Sequence, residues 1–269
     1  MRILGKKKIK IKRSKSKLGF AKTGGGSWKV WDRFITYDGQ KLFHIGNVCG
    51  TCNFFFTRQE NSLSKSIVSG NLVDRLNDGL IYVDLDIVKD YSLLFPNDTY
   101  EVLLLEIYPR LIFPNDTDDY FIKDLLQTWE GDDENEDESW TNTEYYRGQD
   151  KKILEEDKIY EFFIPIYPTS QLNEERVRFY EQKIIQGNKP TALAVSVLDV
   201  KCPLFYPEVE GIEVKPEFFT HWCLANYLLD GHHKIFAAHR QKKSITLLTY
   251  LSRGESWKLV DKLITYSKE

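Results

Sequence analysis

The sequence predicts an α/β (α+β) protein in two units: an N-terminal domain built on a mixed sheet, then a domain in which strands and helices alternate. Three observations carry this. Segments with apolar residues at every second position stand beside segments with apolar residues three and four apart. Glycine turns and a run of acids punctuate the chain where the period changes. Finally, 269 residues with 42% hydrophobic and 14% aromatic content are enough for two cores, and only nine prolines interrupt them.

The chain opens with Arg2, Lys6, Lys7, Lys8, Lys10, Lys12, Arg13, Lys15 and Lys17 and then reaches a GGG stretch, so residues 1–27 are expected as a basic flexible arm. Order is expected from Trp28, where SWKVWDRFITYDG alternates as a strand does. KLFHIGN reads as its partner across the Asp38–Gly39 turn, giving a hairpin over Trp28 to Asn47. Leu63, Ile67, Leu72, Val73 and Leu76 predict a helix stopped near Gly79. LIYVDLDI (80–87) and YEVLLLEIYPRLIF (100–113) read as strands, the second too continuously apolar to have an exposed face. A short helix is expected over 118–129. These elements make an N-terminal α+β domain over 28–130, followed by an acidic linker over 131–150 that begins in EGDDENEDE.

The domain over 151–269 reads strand (KIYEFFIPIY), helix (172–186, with Val177, Tyr180 and Ile184 on one face), strand (TALAVSVLDV), strand (ANYLL), helix from His232, and strand (ITLLTYL). That order predicts a βαβ arrangement with a parallel or mixed sheet. Gly187 is placed to end the first helix as a C′ glycine. A repeat of 20–50 residues is absent from the sequence, which argues against a solenoid.

Charge excludes some classes of function. With 37 basic and 40 acidic residues the formal charge is −3, which gives no global field toward polyanions, and the chain beyond the arm is net acidic, so nucleic acid is disfavoured as a partner. The basic start lacks an apolar core and cleavage site of a signal peptide, and no run approaches the ~20 apolar residues needed to span a bilayer. The expectation is a cytoplasmic protein without membrane contact. Four cysteines are too sparse for a disulfide scaffold.

The most specific segment is Asp230-Gly231-His232-His233-Lys234. Gly231 would let backbone approach an anion, the helix that follows presents unpaired N–H groups, and Lys234 adds a point charge, a combination that suits phosphate. Each residue also has a plainer reading: Asp230 as a helix-start acceptor, His232 as a satisfied interior histidine, His233 and Lys234 as a polar turn. The strand, DG turn, paired histidines, basic residue and small-residue helix (IFAAHRQ) resemble the DGHHR element of ParB-like and sulfiredoxin-like proteins. FIPIYPTSQL, IIQGNKPTALAVSV and KSITLLTYL resemble that family's opening strand and helix, second strand and closing strand, so the resemblance spans residues 160–251. Lys234 stands where the family usually has arginine, residues 201–222 separate two strands at unusual length, and only a short tail follows Leu251, too short for the helix-turn-helix of the DNA-segregation members.

The resemblance implies a ParB/sulfiredoxin-like α/β fold in which Asp230 to Lys234 bind a nucleoside triphosphate, ATP or CTP, with Mg, for hydrolysis or phosphate transfer. It also implies Glu174, Glu175 and His233 as catalytic groups. The plainer reading of the two glutamates is a helix start stocked with acids to suit its dipole. Cys49 and Cys52 have CxxC spacing suited to zinc or a redox pair, with Cys202, Cys223, His44 and His221 as the candidates for further ligands; two buried thiols are the alternative. The GNVCGTCNFFF segment resembles uncharacterised bacterial proteins. Two functions follow: a nucleotide-binding protein whose N-terminal domain recognises substrate or partner, or a non-catalytic interaction protein with a decayed nucleotide site, zinc-stabilised or not, whose protein partner the sequence does not name.

Overall fold

A computed structural model describes residues 1–25, 28–47, 54–60, 67–68, 74–126, 140–154, 157–201, 208–209, 212–213, 220–256 and 259–266. The expected CxxC at Cys49 and Cys52, most of the 63–76 helix and the acidic run lie outside these residues. The strands are β1 (Arg2–Ile11), β2 (Leu18–Gly25), β3 (Trp28–Tyr37), β4 (Gln40–Asn47), β5 (Thr57–Arg58), β6 (Asp98–Ile107), β7 (Arg110–Ile112), β8 (Tyr145–Arg147), β9 (Lys151–Lys152), β10 (Asp157–Ile164), β11 (Thr191–Lys201), β12 (Glu208–Val209), β13 (Ile212–Glu213), β14 (Thr220–Asp230) and β15 (Ile245–Ser252). The α-helices are α1 (Leu85–Ser92), α2 (Glu174–Ile185), α3 (His232–Gln241) and α4 (Val260–Tyr266).

The main sheet is mixed, in the order β1-β6-β15-β11-β14-β10-β8-β7, with β9 also on β10; β2-β3-β4-β5 form a second sheet. Strand β10 is parallel to β14, β11 is parallel to β15, and β11 and β14 are antiparallel. The α+β class is therefore the observed one. Both faces of the main sheet are covered. Tyr100, Val102, Phe162, Val195, Tyr227 and Tyr250 face a core shared with the second sheet and α1. Leu103, Leu105, Ala192, Leu228 and Leu247 face a core shared with α2, α3 and α4. The alternation of the two sets along each strand is the pleat read out as burial, and it makes three layers.

The hairpin over 28–47 is present, and Asp38 (φ 51°) and Gly39 (φ 79°) take the left-handed conformations of a tight hairpin turn. β6 is central, as its continuous apolar run requires. The end of α2 is a Schellman motif: Gly187 N–H donates to Ile184 O and Asn188 N–H to Lys183 O, with Gly187 at φ 94°. The short helix expected over 118–129 is a π-helix over Phe121–Leu126.

Four expectations differ from what is seen. Tyr145–Arg147, within the expected linker over 131–150, is strand β8, buried and hydrogen-bonded to β7 and β10. Within residues 1–27, expected as a flexible arm, Arg2–Ile11 are strand β1, paired along β6, and Leu18–Gly25 are strand β2, paired with β3; a ladder to a segment some hundred positions away, as from β1 to β6, leaves no local signature. The 80–87 segment is not a strand. Asp84 caps α1 by accepting from Asp86 N–H and Ile87 N–H, and Ile87, Val88 and Tyr91 are the buried residues. Finally, β6 from the expected N-terminal domain is hydrogen-bonded to β15, so one sheet runs through both expected domains. Among the described residues no helix is long and apolar enough to cross a membrane.

Candidate functional site

The DGHHK segment lies at the end of β14 and the first turn of α3, as the sequence predicts. Gly231 is the N-cap, at φ 92° and ψ 18°, a conformation that favours glycine. A Cβ there would lie 2.6 Å from Ala192 Cβ and 2.8 Å from Ala192 Cα. The missing side chain therefore makes room for β11, and the start of the helix is pressed against the sheet.

The side chains point the same way. Lys234 is 1% exposed and its Nζ donates to Thr191 O at 2.9 Å, with Asp230 Oδ2 at 3.6 Å and the Tyr180 ring beneath it. Burial pulls the Lys234 pKa down, against the pull of Asp230. His232 Nε2 accepts from Ile166 N–H at 3.0 Å while its ring stacks on Tyr167 at 4.1 Å. His233 Nε2 accepts from Asn173 N–H at 3.0 Å. Both rings are thus held neutral: burial lowers the His232 pKa to about 3 and the His233 pKa to about 4, and a protonated ring would lose its acceptor. Asn173 is itself the N-cap of α2, accepting from Arg176 N–H, so His233 fastens the start of one helix to the start of the next. Together the two histidines pin the chain between β10 and α2 onto α3.

The two glutamates do not join this cluster through any contact. Glu174 is bound by Arg240 of α3, with Nη1 at 2.9 and 3.1 Å from its two oxygens, and by Arg178, which together lower its pKa. Glu175 is exposed. Glu181, two turns on along the same seam, takes Arg240 Nε at 3.1 Å and Gln241 Nε2 at 3.0 Å. These acids bridge α2 to α3. Sequence spacing alone does not distinguish a carboxylate aimed at a ligand from one aimed at the neighbouring helix.

Of the candidate further zinc ligands, His221 and Cys223 are buried side by side. Tyr120 Oη lies 2.9 Å from His221 Nδ1 and 3.5 Å from Cys223 Sγ. Burial lowers the His221 pKa to about 3 and pushes the Cys223 thiol far up, so Cys223 is a core thiol rather than a thiolate. His44 is elsewhere, stacked on Phe34 and 2.9 Å from Asp32. Among the described residues no group of three or more His, Cys, Asp or Glu is placed to hold a metal ion. Cys49, Cys52 and Cys202 lie outside those residues.

The reading of the sequence passed over a groove of about 610 Å³ between β1, the turn that follows it, and α1. Its floor is Ile9, Ile11, Leu85, Val88 and Leu93, and its rim is Lys10, Lys12, Arg13, Lys15 and Lys89. The available signal was the period-two placement of Ile9 and Ile11 among lysines, which marks a strand.

Compared with known proteins, the chain matches no family model, no curated protein and no solved structure.

Proposed function

We propose that the chain is a non-catalytic binding protein on a ParB/sulfiredoxin-like framework, in which the DGHHK turn serves as an internal clasp. The observation that carries this is Lys234. Its ammonium is buried and donates to Thr191 O within the main sheet, so the cation that would meet a phosphate is used to hold α3 against β11. His232 and His233 add to the reading, because each spends its basic nitrogen on a backbone N–H. The order β10, α2, β11, β14, α3, β15 supports the framework, since it is the order the resemblance implies.

One observation favours the second reading, nucleotide-phosphate binding at the turn: α3 begins on Gly231, which brings no side-chain cap to the first N–H groups of the helix. Calorimetric titration of the full chain with ATP, CTP and GTP in the presence of Mg separates the two. The clasp reading expects no saturable heat, with Lys234→Ala and His233→Ala lowering the melting temperature. Saturable binding that these variants weaken while their melts stay unchanged would overturn it in favour of a nucleotide site.

A further inference from the structure

We infer that the groove between β1 and α1 is a docking site for an extended acidic peptide with apolar residues at alternate positions, added as a strand along the outer edge of β1. This rests on the binding-protein reading above and names the class of partner.

Three features converge. First, β1 ends the main sheet: it pairs with β6 on one side and, among the described residues, with no strand on the other. At its Ile9–Ile11 end, beside the groove, its outward backbone donors and acceptors form a template for one more strand. Second, the floor beside that edge is apolar and in part uncovered. From α1 and the residue that caps its end, Leu85, Val88 and Leu93 line it, with Leu85 55% and Leu93 77% exposed, and Ile81 (86%) and Tyr82 (62%) precede them on the same segment. Third, the charge there has a single sign and is unspent. Lys10, Lys12, Arg13, Lys15 and Lys89 make no ion pair among the described residues. The nearest acid in the adjoining hollow, Asp98, is occupied by Ser252 Oγ and the N–H groups of Thr99 and Gly254.

The groove is also held in shape. Ser14 N–H donates to Asn97 Oδ1 at 2.7 Å, Ser14 Oγ to Phe95 O at 2.6 Å and Ser16 Oγ to Leu94 O at 2.6 Å, which ties the basic turn to the chain leaving α1. A ligand would not have to order this wall, which favours affinity. Lysines on an edge strand also guard against edge-to-edge aggregation. A guard needs only the charges, however, and accounts for neither the apolar floor nor the braced wall. Membrane lipid would call for a flat or protruding apolar surface rather than a concave one, and nucleic acid would leave the floor unused. A strand with side chains on alternate faces satisfies all three features at once: apolar residues into the groove, carboxylates to the lysines, backbone to the edge.

The test uses the full chain and a fluorescein-labelled synthetic peptide of about ten residues alternating glutamate and valine, about the length of β1, followed by anisotropy. Saturable binding is expected, weakening at least about tenfold between ~50 and ~300 mM salt as the charges are screened. The exposed double variant Lys10→Glu/Lys12→Glu and, separately, Leu93→Ser should each weaken it at least about fivefold, with thermal melts unchanged. Equal binding of an all-glutamate peptide, or full affinity in Leu93→Ser, would overturn the role of the apolar floor and with it the proposal. Tighter binding of a single-stranded oligonucleotide or of phosphatidylserine vesicles would overturn it in favour of those ligands, and no binding of any probe would leave the lysines as edge guards. Nucleotide titration of the same samples keeps the two readings apart: heat with ATP, CTP or GTP sinks the clasp and leaves the groove, whereas loss of peptide binding sinks the groove alone.

Discussion

Replacing Gly231 by alanine separates a clasp from a phosphate cradle, because the two readings assign the glycine different work. In a cradle it keeps the backbone bare for a ligand, so alanine would reduce binding and cost mainly the strain of its backbone angle. Here the added methyl points at β11. The left-handed conformation at φ 92° costs a non-glycine residue about 1–2 kcal/mol. The second cost comes from the 2.6 and 2.8 Å approaches to Ala192 Cβ and Cα. Ala192 belongs to a central strand held by β14 and β15, so it has little room to recede, and overpacking of this kind costs about 1–3 kcal/mol. The total, about 2–5 kcal/mol, is a large share of the ~5–15 kcal/mol that keeps a typical protein folded. Urea denaturation followed by circular dichroism would measure it as a fall in midpoint at unchanged slope. Ala192→Gly removes the Cβ but leaves the Cα, so in the double variant about 1 kcal/mol of the Gly231→Ala cost should return as coupling. A loss below about 1 kcal/mol, or additivity of the two changes, would refute the packing argument.

Four further outcomes follow from the same contacts. Lys234→Met should cost about 2–4 kcal/mol, since Thr191 O loses its donor and Asp230 its buried counter-ion; because the folded pKa lies below the unfolded one, the wild type should gain stability as pH rises toward 10.5 and the variant should lack that gain in pH-dependent melts. His232 takes up a proton near 6.5 when unfolded and near 3 when folded, so the unfolded chain binds more protons between these values and stability falls as pH drops through that window. His232→Gln should flatten an acid denaturation series there by up to about 1.4 kcal/mol per pH unit. Arg33, whose Nη2 is 2.9 Å from both oxygens of Asp199, joins the second sheet to β11 from a buried position; Arg33→Leu should cost about 3–5 kcal/mol in chemical denaturation, and adding Asp199→Leu should recover most of it. Glu174→Gln removes only exposed ion pairs with Arg240 and Arg178, so it should change stability by less than about 1 kcal/mol; a larger loss would show that the α2–α3 seam depends on this acid.

What the sequence made legible was whatever is written locally. The Asp38–Gly39 turn, the apolar run of β6 and the stop of α2 at Gly187 each depend on residues within a few positions of one another, and each is where the pattern placed it. Pairing between distant segments was not legible. The lysines of β1 read as solvated chain because their partners on β6 are about a hundred positions away, and the junction of β6 with β15 that fuses the two expected domains is farther still. LIYVDLDI misled for another reason. Its alternation continued only to Ile87, while the residues that α1 buries run on to Tyr91, and the most exposed apolar groups within 80–87, Ile81 and Tyr82, are among those that made the segment look like a strand.

The DGHHK turn belongs to neither case. Its residues, the strand before it and the helix after it were all read correctly, and the inference about chemistry still depended on something the residues do not encode: which way the first turn of the helix faces. A glycine, two basic rings and a lysine at a helix start suit an anion if that turn points to solvent. Directed inward, as here, the same groups meet backbone. The glycine admits Ala192, the lysine finds Thr191 O, and the histidines accept from Ile166 and Asn173. The loop from 164 to 173 decides the direction, because it supplies both N–H groups that the histidines accept from. A variant that withdraws one of those donors without touching the turn, Ile166→Pro, therefore tests the clasp from its other side. Proline has no N–H to give, and the buried His232 Nε2 would lose its donor at a cost of about 1–3 kcal/mol. The depression of the His232 pKa should shrink with it, so the loss of stability that begins near pH 6.5 should end at a higher pH and be smaller in total than in the wild type. An acid limb that stays where it is in the wild type would mean that burial alone, and not the bond from Ile166, keeps the ring neutral.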